Sequence, residues 1–153
     1  MGLDMYLTRS IYVGANYDHN QVDGALFLTK GGRKLNVNFN KVSSIRESAM
    51  YWRKANHIHK WFVDNVQGGN DDCKEYYVSK EKVQELINLC KKVIKNPEQA
   101  QKLLPTQEGF FFGGTSYDEY YFQDCKETAK VLAKLLKQDQ DDHDVDYYYS
   151  SSW

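Results

Sequence analysis

The histidines at 57 and 59, inside the block YWRKANHIHKWF, are the side chains best suited by type to metal or acid–base chemistry. Their spacing argues against a shared metal. Residues two apart on a helix project about 200° from one another, and helical ligand pairs need spacings of three or four. No metal is therefore expected. The carboxylates Asp118, Glu119 and Asp124 suggest paired-acid chemistry, although acids at the start of a helix commonly cap it and complement its dipole. Cys73, Cys90 and Cys125 have no ligand-like spacing and are expected to be reduced thiols, with Cys90 in packing. His19 and His143 lie in polar stretches and are expected to be solvated.

Two aromatic blocks surround these groups, Tyr51–Phe62 and Gly109–Phe122, in a chain with 14% aromatic residues. Aromatic faces beside fixed charges suit a planar polar ligand. The expected lining is Trp52, Arg53, Asn56, His59, Tyr117, Asp118, Tyr120 and Tyr121, with Arg53 and Lys54 for anionic groups. GFFFGG lacks the lysine of a phosphate loop.

The elements that position these residues are read from periodicity. GLDMYL reads as a mostly buried strand, and GALFLTK with RKLNVNF as a hairpin turning at Gly31–Gly32. Leu35, Val37 and Phe39 alternate with asparagines, so one face should pack inward. VGANYDHNQVDG, between the first two strands, reads as a connecting loop. From Ile45 to Val66 the spacing is helical: Ile45, Ala49, Trp52, Ala55, His59, Phe62, Val63 and Val66 share a stripe. Asn56 and His59 lie within it and need polar partners. Met50, His57 and Trp61 fall on the opposite side and form the expected interface patch, for a second copy or a host protein.

Further on, EYYV reads as a short strand, Ser79 as the cap of a helix carrying Val83, Leu86, Ile87, Cys90, Val93 and Ile94, and Asn96-Pro97 as the start of a short helix. GFFFGG has strand character. Ser116 and Glu119 form a capping box for the next helix, with Asp124 and Glu127 as a rival. VDYYYSSSW should return as a strand, with Tyr147, Tyr149, Ser151 and Trp153 on one face. Residues 1–153 therefore read as a single α+β domain, a mainly antiparallel sheet built from the hairpin, GFFFG and the C-terminal strand and packed against three main helices.

Composition narrows the function classes. A net charge of −1 disfavours general nucleic-acid binding, and no apolar run approaches the ~18 residues of a membrane span. The N-terminus has neither signal-peptide character nor a myristoylation pattern, since Tyr6 stands where Ser or Thr is required. The phrases MGLDMYLT, YWRKANHIHKWF, LLPTQEGFFFGGTSYDEYYF and YYYSSSW resemble a family of small phage- and prophage-encoded proteins, a likeness spanning nearly the whole chain. The resemblance implies a viral or prophage origin and action in a bacterial cytoplasm. It supplies no catalytic residues. The leading expectation is a non-catalytic binder of a small polar molecule, such as a nucleotide-derived signal that it would sequester, with no cofactor. The alternatives are a protein-binding module that inhibits a host protein, and a small hydrolase or phosphodiesterase using His59 with Asp118 or Asp124.

Overall fold

The computed structural model describes residues 2–14, 16–22 and 28–153. Strand β1 (Asp4–Tyr12) forms the middle of the architecture because its alternation gives it one apolar face. Met5 and Leu7 point into the core, while Tyr6 and Tyr12 remain exposed on the other side. β1 pairs along one edge with β4 (Ser44–Arg53) and along the other with β6 (Val145–Ser152). β6 in turn pairs with the short β5 (Tyr76–Val78), so the sheet runs β4-β1-β6-β5 and every pairing is antiparallel.

Three long elements cover the apolar face: α1 (Asn56–Asn65), α2 (Lys80–Lys95) and α4 (Glu119–Gln138). A short α3 (Ala100–Leu103) follows a 3-10 turn at Pro97–Gln99. Leu86 and Ile87 of α2 and Leu132 of α4 are fully buried, each stabilising the fold by roughly 1.5–3 kcal/mol. Phe62 of α1 stacks on Tyr149 of β6, with centroids 3.8 Å apart and planes 9° from parallel. Such a contact adds about 0.5–1.5 kcal/mol beyond burial. The chain is thus an α+β domain with an antiparallel sheet packed against helices, and the C-terminal strand carries Tyr147, Tyr149 and Ser151 inward as their alternation predicts.

The sheet is assembled differently from expectation. The Gly31–Gly32 turn is present, and among the described residues it closes a short ladder between β2 (Thr29–Lys30) and β3 (Arg33–Lys34), separate from the main sheet. Leu35 and Val37 are exposed, and Phe39 enters a 3-10 turn capped by Asn38. Alternation sets a face but supplies nothing for that face to pack against. Gly24–Phe27 of the expected first arm, and Ala15, Asp23 and Gly24 of the preceding loop, lie outside the described residues. GFFFGG is not a strand either: Phe111 and Gly113 adopt positive φ (61° and 95°), which breaks extended pairing.

The helix expected over Ile45–Val66 is two elements. The first half is β4, and only the second half is α1. A bulge produces the misleading spacing. Met50 faces Leu7 while Ser48 faces Thr8, so Ala49 is an extra residue in β4. The inward positions therefore step by three residues there instead of two, imitating a helical period. At α4 the cap is Asp118, which accepts from the Tyr121 N–H, and the helix begins later than the Ser116 box predicts. Ser79 caps α2 as expected, whereas Asn96 leaves the next turn uncapped and donates back to Lys92 O.

Candidate functional site

The corner between β4 and α1 creates the site. Lys54 turns there with φ of 59°, its amide donating to Leu3 O at 2.7 Å. Gly113 packs against this corner so closely that a Cβ would sit 3.0 Å from Lys54 Cβ; its φ of 95° also favours glycine. Asn56 ties the two segments together. Its Nδ2 donates to Phe112 O (3.2 Å) and Gly114 O (2.9 Å), and its Oδ1 accepts from Gln107 N (3.1 Å). A buried amide with its donor and acceptor both engaged explains how a polar residue is tolerated on the inner side of α1.

The first turns of α4 form the opposite wall. Tyr121 donates to Leu104 O at 2.8 Å and lies against the His57 ring, with centroids 4.2 Å apart. The resulting cleft has a volume of about 300 Å³ and is lined by Arg53, Lys54, Asn56, His57, Thr106, Gly113, Gly114, Ser116, Asp118, Tyr120, Tyr121 and Asp124. A larger, shallower groove of about 660 Å³ runs between α2 and α4. Solvated helix-surface groups form much of its lining, and none of its residues has a buried polar atom without a partner.

The smaller cleft does contain such a residue. His57 is only 3% exposed, and among the described residues its Nε2 has no hydrogen-bond partner. Burial lowers its pKa from 6.5 to about 3, so the ring is neutral at physiological pH. Asp124 moves in the opposite sense. Burial, together with the charges of Glu127 and Asp118, raises its carboxyl to about 6.

Five of the expected lining residues meet here: Arg53, Asn56, Asp118, Tyr120 and Tyr121. Trp52 does not, because its strand position turns it into the core, where Nε1 donates to Thr128 Oγ1 at 2.7 Å. Tyr117 lies behind Tyr121, its hydroxyl accepting from Thr106 N at 3.3 Å. His59 faces away from the cleft. Its Nδ1 meets Tyr149 OH at 2.8 Å and its Nε2 meets Asp71 Oδ2 at 2.9 Å. The other Asp71 oxygen accepts from Trp153 Nε1 at 3.0 Å. His59 is thus a satisfied core histidine, and it is not among the residues that line the cleft with Asp118 and Asp124.

Met50, His57 and Trp61 do not make a surface patch. Trp61 is 6% exposed and packs edge-on against Phe62, His57 lines the cleft, and Met50 packs against the core from β4. Lys54, expected beside Arg53 for anionic groups, also lines the cleft, and the residues not foreseen there are His57, Thr106, Gly113, Gly114, Ser116 and Asp124. Locating β4's end at Arg53 would have placed His57 on the first turn of α1, beside the cleft.

A second polar cluster serves the fold. Buried Arg9 grips Asp139 through two hydrogen bonds of 2.8 and 2.6 Å, Tyr147 donates to the same carboxylate, and Lys80 reaches Asp139 O at 2.6 Å. Burial pushes the Asp139 carboxyl up, but the bonds from Arg9 and Tyr147 outweigh it and hold the carboxyl below its usual range. This latch fastens the end of α4 to the sheet. Among the described residues, no group of three or more His, Cys, Asp or Glu could hold a metal ion. Among them, too, no helix is long and apolar enough to cross a membrane. No family model matches the chain, no curated protein matches it in sequence, and no solved structure matches it in fold.

Proposed function

We propose that the protein binds a small polar, nucleotide-derived molecule in the cleft between the β4–α1 corner and α4. Retention without turnover, as in a sequestering protein of phage or prophage origin acting in a bacterial cytoplasm, is the corresponding activity. The observation that carries this reading is His57: a nearly inaccessible imidazole with an unpartnered Nε2, lining a cleft that also presents Arg53 and Lys54. A buried polar atom left without a partner costs about 1–3 kcal/mol, and such groups are commonly explained by a function. The hydrolase reading is less well supported, because His59 is not among the residues that line the cleft with Asp118 and Asp124.

Native mass spectrometry of protein purified from bacterial lysate, compared with a denatured sample, tests the proposal. A small-molecule mass that is released on denaturation, and is missing from His57→Phe, is expected. A ligand-free spectrum that stays so after incubation with a panel of nucleotides would overturn it.

A protein partner is the second reading, favoured by Phe110 and Phe111. These neighbours at the tip of the 109–114 turn are 83% and 56% exposed. Phe110→Ser with Phe111→Ser would abolish capture of such a partner while leaving ligand retention intact.

A further inference from the structure

Opposite charges share the cleft without neutralising one another. Arg53 and Lys54 come from the β4–α1 corner, and Asp118 and Asp124 from the beginning of α4. None of the four forms an ion pair with a described residue. Elsewhere the same chain pairs its charges readily, as Lys60 does with Asp64 and Lys82 with Glu85. Asp118 uses one oxygen to cap α4, but Asp124 is half-buried and has no hydrogen bond to a described residue. A half-buried carboxylate in that position is stabilised by an incoming N–H donor.

Size and shape narrow the ligand further. A volume of about 300 Å³ lies at the lower end of the ~300–1,000 Å³ range of small-molecule sites, which suits one nucleotide unit and not two. Tyr120, 82% exposed on the lining, offers an aromatic face on which a planar ring can stack. His57 closes the inner wall of the cleft, its ring against Tyr121.

We infer that the ligand is bipolar: a phosphate held at Arg53 and Lys54, joined to a planar ring whose amino group donates to Asp124, the chemistry of a nucleoside monophosphate with an exocyclic amine. This rests on the cleft being the binding site, as proposed above, and adds the polarity and length of what it holds.

Calorimetric titration of the full chain with AMP, IMP, ribose 5-phosphate and adenosine tests it. IMP replaces the amino group by a carbonyl, so it presents an acceptor to a carboxylate. AMP is expected to bind at least about tenfold more tightly than each of the other three. In Asp124→Asn the preference for AMP over IMP should collapse towards one, because an amide can both donate and accept. Lys54→Ala should weaken AMP and ribose 5-phosphate by a similar factor. Equal affinities for AMP and IMP, or ribose 5-phosphate binding as tightly as AMP, would overturn the inference while leaving the cleft an anion site. Binding of none of the four, together with a ligand-free native mass spectrum, would overturn both the inference and the cleft.

Discussion

His57 and His59 are two residues apart on one helix, both buried, yet they have opposite chemical situations. His59 sits between Tyr149 of β6 and Asp71, with both nitrogens engaged. His57 faces α4, where it meets the ring of Tyr121, and its Nε2 has no partner among the described residues. Helix geometry sends the two side chains to opposite sides, and the topology decides what waits there. On the sheet side the C-terminal strand and the 71–73 loop supply polar groups. On the α4 side the helix presents the Tyr121 ring and the acids Asp118 and Asp124, which form no ion pair with a described residue.

Substitutions on the two sides of α1 should act differently. His59→Phe should be the most damaging, since it strands Tyr149 OH and one Asp71 oxygen. Unfolding free energy from denaturant titration should drop by about 3 kcal/mol. Asn56→Ala removes three hydrogen bonds and releases the 107–114 loop. It should cost about 2 kcal/mol and abolish ligand retention, because loop and corner would no longer be held together.

His57→Phe should raise stability at pH 7 by roughly 1–2 kcal/mol, because it removes a buried Nε2 that has no partner among the described residues and keeps an aromatic ring against Tyr121. Its signature is the acid limb. The folded His57 titrates near 3 and the unfolded residue near 6.5, so the unfolded chain takes up this proton first. The stability linked to neutral His57 is complete above pH 6.5 and is lost as pH falls towards 3. Thermal unfolding across that range should show wild type falling by up to about 1.4 kcal/mol per pH unit relative to the variant.

Asp124→Asn should give the smallest effect and the opposite pH dependence. The folded carboxyl titrates near 6, above its ordinary 3.8, so its contribution is greatest below pH 3.8 and is lost as pH rises to 6. After allowance for solvent screening, the variant should be about 1 kcal/mol more stable than wild type at pH 7 and equal to it below pH 3.8. The charged or titratable neighbours of this carboxyl are Glu127 and Asp118 on its own helix and the Cys90 thiol of α2, with Arg53, Lys54 and His57 lining the same cleft.

The fold class and the C-terminal strand were legible because they depend on local alternation: Tyr147, Tyr149 and Ser151 turn inward as a period of two requires. The β4–α1 boundary was not. The bulge at Ala49 shifts the inward positions by one residue, so Ile45, Ala49 and Trp52 match a helical stripe although they lie on a strand. That error carried Trp52 into the expected site and His57 out of it. Asn56 was singled out correctly as a polar residue in need of partners, but the loop that supplies them is distant in sequence, and side-chain periodicity says nothing about such contacts. The Arg9–Asp139 latch, spanning 130 positions, was hidden for the same reason.

The most direct test of the division between the two histidines is the nitrogen spectrum of their imidazoles, recorded on the full chain without and with AMP. On addition of AMP the His57 imidazole resonances are expected to move while both His59 nitrogens stay in place, still bonded to Tyr149 and Asp71. A shift at His59 with His57 unmoved would put the ligand on the sheet side of α1 and contradict the assignment of the cleft.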